Sequence, residues 1–99
     1  MANRVKWSRT ATRDLEEVVK YIARDSPAYA AAFVMKVKEV SKSLKMFARR
    51  GRVVPELGLE YIRELFISNY RLIYKIEGAK VTIIAFVHGK RDLKKFWDV

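Results

Sequence analysis

The stretch FVHGKRDLKKF, residues 86–96, contains His88, the only histidine of the chain. An imidazole with an ordinary pKa of about 6.5 exchanges protons near neutral pH, as general acid–base catalysis requires. A histidine at the end of a strand can equally be a polar residue that closes an apolar run. Glu56 has two interpretations as well: a general base beside arginines, or a loop carboxylate that balances their charge. The residue types alone leave both roles open.

Basic residues stand close to these two candidates in the sequence, in a loop, on two strands and after the last strand. Guanidinium groups bind phosphate through two parallel hydrogen bonds, so such residues could grip a phosphate chain. The same residues could instead form a solvated face that keeps a small domain soluble. The candidate phosphate- or target-binding cations are Arg49, Arg50, Arg52, Arg63, Arg71, Lys90, Arg91, Lys94 and Lys95.

The whole chain is strongly basic. It has 99 residues, with 21 Lys and Arg against 11 Asp and Glu, and a formal net charge of +10. This length predicts a single domain over residues 1–99 with one modest core. The charge favours a polyanionic partner: nucleic acid, an acidic protein or anionic lipid.

Composition also limits the sites that the chain can build. There is no cysteine and a single histidine, which excludes a disulfide framework and a thiolate metal site and argues against zinc. We therefore expect no metal and no other cofactor. The N-terminal segment MANRVKW lacks an apolar signal core, and no window approaches the length of a membrane span. We expect a cytoplasmic protein without membrane contact.

The first elements that would position these residues are a strand and a helix. Residues 3–7 are a strand candidate, and Ser8 or Thr10 can cap the helix that follows. The apolar residues of this helix recur at helical spacing: Ala11, Leu15, Val18, Val19 and Ile22.

A second helix begins at Ser26-Pro27, because serine accepts hydrogen bonds from the first amides and proline suits the first helical position. Its apolar spacing predicts a long helix that ends near Ala48. The two helices with their tight break form a helical hairpin. The residues that carry the spacing are Phe33, Val37, Val40, Leu44 and Phe47.

After a loop over residues 49–58, the pattern changes to strands. Residues 61–67, 71–76 and 81–87 are β-branched and aromatic runs separated by hairpin-length breaks. Residues 90–99 can form a last helical turn. The predicted fold is α+β in the order β-α-α-β-β-β, with the helical hairpin packed on a small antiparallel sheet.

Aromatic side chains have two possible roles as well. Nucleobases stack on exposed rings, so an exposed Tyr70 or Trp97 would suit RNA. Tyr74 is predicted to be a core residue, as most strand aromatics are. Tyr70, Phe96 and Trp97 are the candidates for a partner interface.

The order of several motifs resembles that of the RelE/ParE superfamily of toxins from type II toxin–antitoxin systems. The motifs are DLEEVVKYIARDSP, GRVVPEL, IRELFISNYRLIYKI and VTIIAFVHGKRDL, and the resemblance covers residues 7–93. It implies a RelE-like fold and a toxin that a cognate antitoxin, encoded by an adjacent gene, holds inactive. The positive charge fits an acidic antitoxin.

The superfamily has two branches. RelE-like toxins are metal-independent endoribonucleases that cleave mRNA in the ribosome, whereas ParE-like toxins inhibit DNA gyrase without nuclease chemistry. In the RelE-like interpretation, the resemblance makes Arg71 and Arg91 phosphate contacts. Glu56 and His88 would then serve as base or acid when the 2′-hydroxyl attacks the adjacent phosphate.

Three positions depart from the RelE-like pattern. Ile62 and Glu64 stand where RelE relatives have lysines, and Gly89 stands where a tyrosine follows the histidine in related nucleases. The N-terminal half is closer to ParE-like sequences. We therefore lean slightly towards a gyrase inhibitor, with an mRNA interferase as the alternative and a non-toxic basic nucleic-acid-binding module third.

Overall fold

The computed structural model describes residues 2–96, without the side chains of Lys95 and Phe96. No helix in this part of the chain is both long and apolar enough to span a membrane. The elements in chain order are β1 (Arg4–Trp7), α1 (Arg9–Asp25), α2 (Pro27–Ser43), β2 (Arg52–Val53), β3 (Ile62–Ile67), β4 (Tyr70–Glu77), β5 (Lys80–His88) and α3 (Leu93–Phe96).

The two long helices form the predicted hairpin, and a single serine joins them. The Ser26 amide donates to the Ile22 carbonyl and closes α1, while its hydroxyl accepts from the Tyr29 amide at 3.1 Å and opens α2. At the start of α1, Ser8 rather than Thr10 is the cap, since its hydroxyl accepts from the Ala11 amide at 3.0 Å. Ser26 therefore satisfies one backbone group at the end of α1 and one at the start of α2.

The second helix ends at Ser43 and not near Ala48 as its apolar spacing predicted. The Leu44 amide donates to the Ser41 carbonyl, a tightened bond that ends the α-helical pattern. The side-chain amide of Asn3, just before β1, donates to the carbonyls of Leu44 and Lys45 at 3.2 Å each. A distant residue thus holds the turn that follows α2, which apolar spacing alone could not indicate.

The sheet has the order β1-β5-β4-β3-β2. Strands β3, β4 and β5 form the predicted antiparallel meander, through tight turns at Ser68-Asn69 and Gly78-Ala79. The sheet is mixed rather than purely antiparallel, because β1 pairs in parallel with β5. The helical hairpin separates these two strands in sequence, so no tight turn sets their relative direction. The short β2 pairs with β3 inside the segment predicted as loop.

Both faces of the sheet are covered. The helical hairpin packs on one face over a core that includes Phe33, Leu72 and the fully buried Tyr74, so the predicted core position of Tyr74 is confirmed. On the other face, Val54 and Leu93 bring the 54–57 loop and α3 onto the strands. This second layer draws the loop and the residues after β5 together, and it frames the candidate site.

Candidate functional site

A charged network lies on the loop-covered face of the sheet, and Arg71 of β4 is at its centre. Only 3% of this residue is exposed. Its Nε donates to Oε1 of Glu64 at 2.6 Å, and Nε of Arg52 donates to Oε2 of the same carboxylate at 2.6 Å. The Glu64 side chain is fully buried. One buried carboxylate on β3 therefore holds two arginines from the neighbouring strands.

Glu56 completes the network from the loop. Its two carboxylate oxygens accept from the two terminal nitrogens of Arg71 at 2.8 Å each, a bidentate pair. Arg71 also donates to the backbone carbonyl of Arg91 at 3.3 Å. The hydrogen bonds from Arg71 lower the pKa of Glu56 to about 2. The same bonds raise the pKa of Arg71 above its ordinary value.

This arrangement limits the chemistry that the pair can do. Both carboxylates occupy the planar donor edges with which Arg71 would bind a phosphate. A carboxyl group with a pKa of about 2 is also a weak proton acceptor. In this conformation, Glu56 balances the charge of a buried arginine, as in the second interpretation of its sequence position.

The loop arginines make separate contacts around this network. Arg63 has a side chain only 13% exposed, and its Nη1 donates to the carbonyl of Gly51 at 3.0 Å, which braces the loop. Arg50 donates to the hydroxyl of Ser43 at 2.6 Å. Arg49 lies 3.8 Å from a carboxylate oxygen of Glu60 and has a side chain 66% exposed. Exposed positive charge remains at Arg49 and Arg50.

His88 lies outside the network, in an adjacent cleft at the end of β5. Its side chain is exposed, its Nδ1 accepts from the Lys90 amide at 3.2 Å, and its ring packs edgewise on Tyr70 with centroids 5.6 Å apart. Tyr70 is half-buried and stacks on Phe86. The structure thus brings together Arg71, Glu56 and the backbone of residue 91, and it places His88 and Lys90 in the neighbouring cleft.

The remaining candidates lie at the C-terminal end. Lys94 is exposed in α3. The side chains of Lys95 and Phe96, and the whole of Trp97, lie outside the described residues. For these positions the roles remain predictions.

Sequence reasoning missed the role of two residues on β3. The sequence pattern marks Glu64 only as a departure from a lysine, and it does not single out Phe66. A carboxylate on one apolar strand and an arginine on the next strand together indicate a buried ion pair, because neither charge is usually buried alone. Their pairing needs the β3–β4 register, which sets Phe66 opposite Arg71 and Glu64 one diagonal away.

A second surface is an apolar groove between β1 and the two long helices. Its floor includes Val5, Trp7, Leu15 and Val37. The indole of Trp7 donates to the Ser41 hydroxyl at 3.0 Å, which holds the ring across the groove. Three exposed lysines line its rim: Lys38, Lys42 and Lys45.

The sequence matches the family described as the ParE toxin of the type II toxin–antitoxin system parDE, over residues 5–93. The chain belongs to the ParE toxin family. This confirms the RelE/ParE resemblance of the sequence motifs and makes the protein a toxin of the type II toxin–antitoxin class. No curated protein matches the chain.

Solved structures of toxin–antitoxin systems share the fold of this chain. A chain of the chromosomal ParDE toxin–antitoxin system from P. aeruginosa superposes with a TM-score of 0.71 at 22% identity, covering 88% of this chain and 96% of that one. A chain of the toxin–antitoxin complex RelBE2 from Mycobacterium tuberculosis gives a TM-score of 0.61 at 26% identity, covering 89% and 99%. The predicted α+β, RelE-like fold is confirmed.

Proposed function

We propose that this ParE-family toxin stops growth in the cytoplasm by binding DNA gyrase rather than by cutting mRNA, and that an acidic cognate antitoxin holds it inactive. The observation that carries the first part is the network around Arg71. A ribosome-dependent nuclease of this superfamily would need Arg71 as a phosphate contact and Glu56 as a proton acceptor. Here each of the two groups is bound to the other.

The cost of separating this pair favours the non-catalytic branch. A phosphate would have to displace carboxylates that already occupy the Nε and both terminal nitrogens of the buried Arg71. Glu64, fully buried between two arginines, also replaces the lysine that the RelE-like pattern would place there. An inhibitor needs only complementary surface, for which the exposed cations and exposed rings such as Phe47 and Tyr61 are suited.

One comparison tests the target. Purified toxin is added to a gyrase supercoiling assay and, in parallel, to an in vitro translation reaction in which mRNA ends are mapped. We expect inhibited supercoiling with intact mRNA. Ribosome-dependent cleavage of mRNA that is abolished by His88→Ala would overturn the gyrase proposal. Tyr29→Ala, at an exposed site on α2, is the control and should leave such cleavage unchanged.

A specific observation keeps the RelE-like interferase as second candidate. His88 is exposed and its Nδ1 accepts a hydrogen bond from Lys90, which directs the proton of the neutral ring to Nε2. Only a doubly protonated imidazole can donate a proton from Nε2 to a leaving group, so the Lys90 amide would have to release Nδ1 for this step. In this alternative, His88 and Lys90 would have to act without Arg71.

The groove supports the antitoxin part of the proposal. An apolar floor with one basic edge fits an amphipathic helix whose other edge is acidic. The three rim lysines stand at spacings of four and three residues along one side of α2 and the turn that follows it. An acidic antitoxin would therefore find both apolar burial and charge complementarity there.

Growth assays test this part. Induction of the chain alone in bacteria should arrest growth, and co-expression of the adjacent open reading frame should restore it. Val34→Glu, which places a carboxylate in the groove, should abolish rescue. Met35→Glu is the matched control, because Met35 is 67% exposed and does not line the groove. Normal growth with soluble toxin present would contradict the proposal and favour a non-toxic nucleic-acid-binding module.

A further inference from the structure

A cleft beside the β3–β4 turn combines an aromatic ring with polar and cationic side chains. It has a volume of about 390 Å³, within the range of small-ligand sites. Phe66, half of whose surface is exposed, forms one wall. The remaining lining residues are Ser68, Asn69, His88, Gly89 and Lys90.

The ring of Phe66 is held in place from two sides. The guanidinium of Arg52 lies over it at 5.2 Å from the ring centroid, and the buried Glu64 fixes that guanidinium through Nε. On the other side, the backbone of Gly89 packs so closely that a Cβ there would lie 3.3 Å from the ring and 3.1 Å from the Asn69 carbonyl. The aromatic wall is therefore ordered before any ligand arrives.

The turn next to the ring adopts a conformation that favours glycine. Ser68 has a φ of 56°, in the left-handed region, where a side chain is strained. The Ser68 hydroxyl and the side-chain amide of Asn69 thus line the cleft, although the Ser68 backbone conformation is unfavourable in free energy. Backbone strain of this kind concentrates at functional sites.

We infer that this cleft binds one nucleotide of a single-stranded nucleic acid, with the base on Phe66 and the phosphate near Lys90 and His88. This goes beyond inhibition of gyrase, which requires no nucleic-acid contact here, and it adds a base-stacking residue to the cleft that the interferase alternative would use. Every base has a flat face that stacks on an aromatic ring, and arginine planes stack in the same way. The Ser68 hydroxyl and Asn69 amide supply donors and acceptors for a base edge.

An acidic peptide fits these features less well. Its carboxylates would be attracted by Lys90, but an acidic side chain has no flat face to stack on the exposed Phe66 ring. A duplex is also disfavoured, because its bases are already stacked and cannot reach the ring. The single-stranded nucleotide uses the ring, the polar turn and the positive charge together.

Fluorescence anisotropy with labelled ten-nucleotide strands tests the inference. Oligo-dT, oligo-U and a duplex of mixed sequence are titrated with the full chain, so that DNA and RNA strands are distinguished. We expect Phe66→Ala and Phe66→Leu to weaken single-strand binding by about tenfold or more, in the range of a lost stacking contact. Leucine keeps the apolar contact with Gly89 and removes only the aromatic face.

Controls separate the cleft from general attraction to a basic protein. Phe47→Ala removes another exposed phenylalanine, 66% exposed, and should leave the affinity within about twofold of wild type, since its ring lies outside the cleft. Lys90→Gln should reduce the slope of log affinity against log salt by about 0.7, the value for one phosphate on a single strand. Lys36→Gln, at an exposed site on α2, should leave that slope unchanged.

Three outcomes would overturn the inference. One is equal affinity of Phe66→Ala, Phe66→Leu and wild type, and another is equal binding of duplex and single strand. The third is an oligo-glutamate peptide that binds more tightly than the strands in a Phe66-dependent way, which would assign the cleft to an acidic peptide. Gyrase inhibition is measured separately, so loss of one result does not decide the other.

Discussion

At the scale of single residues, Glu64 determines the geometry of the site. Its carboxylate has no exposed surface, and the two arginines beside it take the place of water as its hydrogen-bond donors. Because Arg52 also lies over Phe66, the same carboxylate sets the position of an aromatic ring two residues along the strand. A change at Glu64 therefore affects the buried network and the cleft surface at once.

The first prediction concerns this carboxylate. Glu64→Gln should lower the free energy of unfolding by about 3 kcal/mol, because Arg71 and Arg52 then lose a buried counter-charge. Urea unfolding followed by circular dichroism measures the change. Glu60→Gln is the control, with a side chain 75% exposed, and it should cost less than about 0.5 kcal/mol. Equal costs for both variants would contradict the role given to burial.

The second prediction concerns Glu56 and pH. Its pKa is lowered from 4.5 to about 2 in the folded chain, so between these values the unfolded state binds more protons than the folded one. The stability from this group is complete above pH 4.5 and is lost as the pH falls through that value towards 2. Urea midpoints measured across this range should fall with decreasing pH.

Glu56→Gln should remove part of that pH dependence, since glutamine does not titrate. Glu17→Gln, at an exposed position of α1, should retain it. A pH profile identical in Glu56→Gln and in wild type would show that other carboxylates cause the acid sensitivity.

At the scale of elements, the strands of the meander are joined by very short turns whose backbone geometry is demanding. The β4–β5 turn places glycine, Gly78, at its left-handed position with a φ of 59°. The β3–β4 turn places Ser68 at a similar φ. The β4–β5 turn therefore has glycine at its left-handed position, whereas the β3–β4 turn has serine there. Of these two turns, the β3–β4 turn borders the cleft.

The third prediction follows from this difference. Ser68→Gly should raise the free energy of unfolding by about 0.5 kcal/mol, because relief of the left-handed strain exceeds the added entropy of the unfolded glycine. Asn69→Gly should lower it, since Asn69 has no positive φ to relieve. Thermal unfolding of both variants measures the effects. Destabilisation by Ser68→Gly would mean that its hydroxyl contributes more than the strain costs.

At the scale of the whole molecule, the groove and the charged network lie on different sides of a small, strongly basic domain. The groove with its lysine rim lies on the helix side of the sheet, and the charged network lies on the opposite face. A net charge of +10 attracts acidic partners over long distances, whereas the apolar and aromatic surfaces determine where such a partner binds.

The fourth prediction concerns association rates. Changing Lys38, Lys42 and Lys45 together to glutamine should slow association with the product of the adjacent gene by about tenfold, and the slowing should diminish in high salt. Stopped-flow fluorescence measures these rates.

A triple variant of equal charge provides the control. Lys6, Lys36 and Lys94 are exposed and none of them lines the groove. If both triple variants slow association equally, net charge alone matters and the groove is not the docking surface.

Much of the fold could be predicted because its signals are local. Ser26-Pro27 marks the break between the helices, and short breaks of hairpin length mark the turns between the strands. The pairing of β1 with β5, the early end of α2 and the ion pairs of Glu64 depend on residues distant in sequence. The same holds for the site: the sequence pattern indicates Arg71 and Glu56, but only the packing of the 54–57 loop on the sheet shows that each satisfies the other.

The parallel pairing of β1 with β5 also bears on the order of synthesis. Arg4 is aligned with Lys80, so β1 cannot pair with its neighbouring strand until most of the chain has been synthesised. The contacts between the two helices lie within residues 9–43, so the hairpin can form while translation continues. The sheet, and with it the groove wall at Val5 and Trp7, is completed only after β5 has left the ribosome. We therefore expect this groove, and any partner contact made there, to form only when synthesis of the chain is nearly finished.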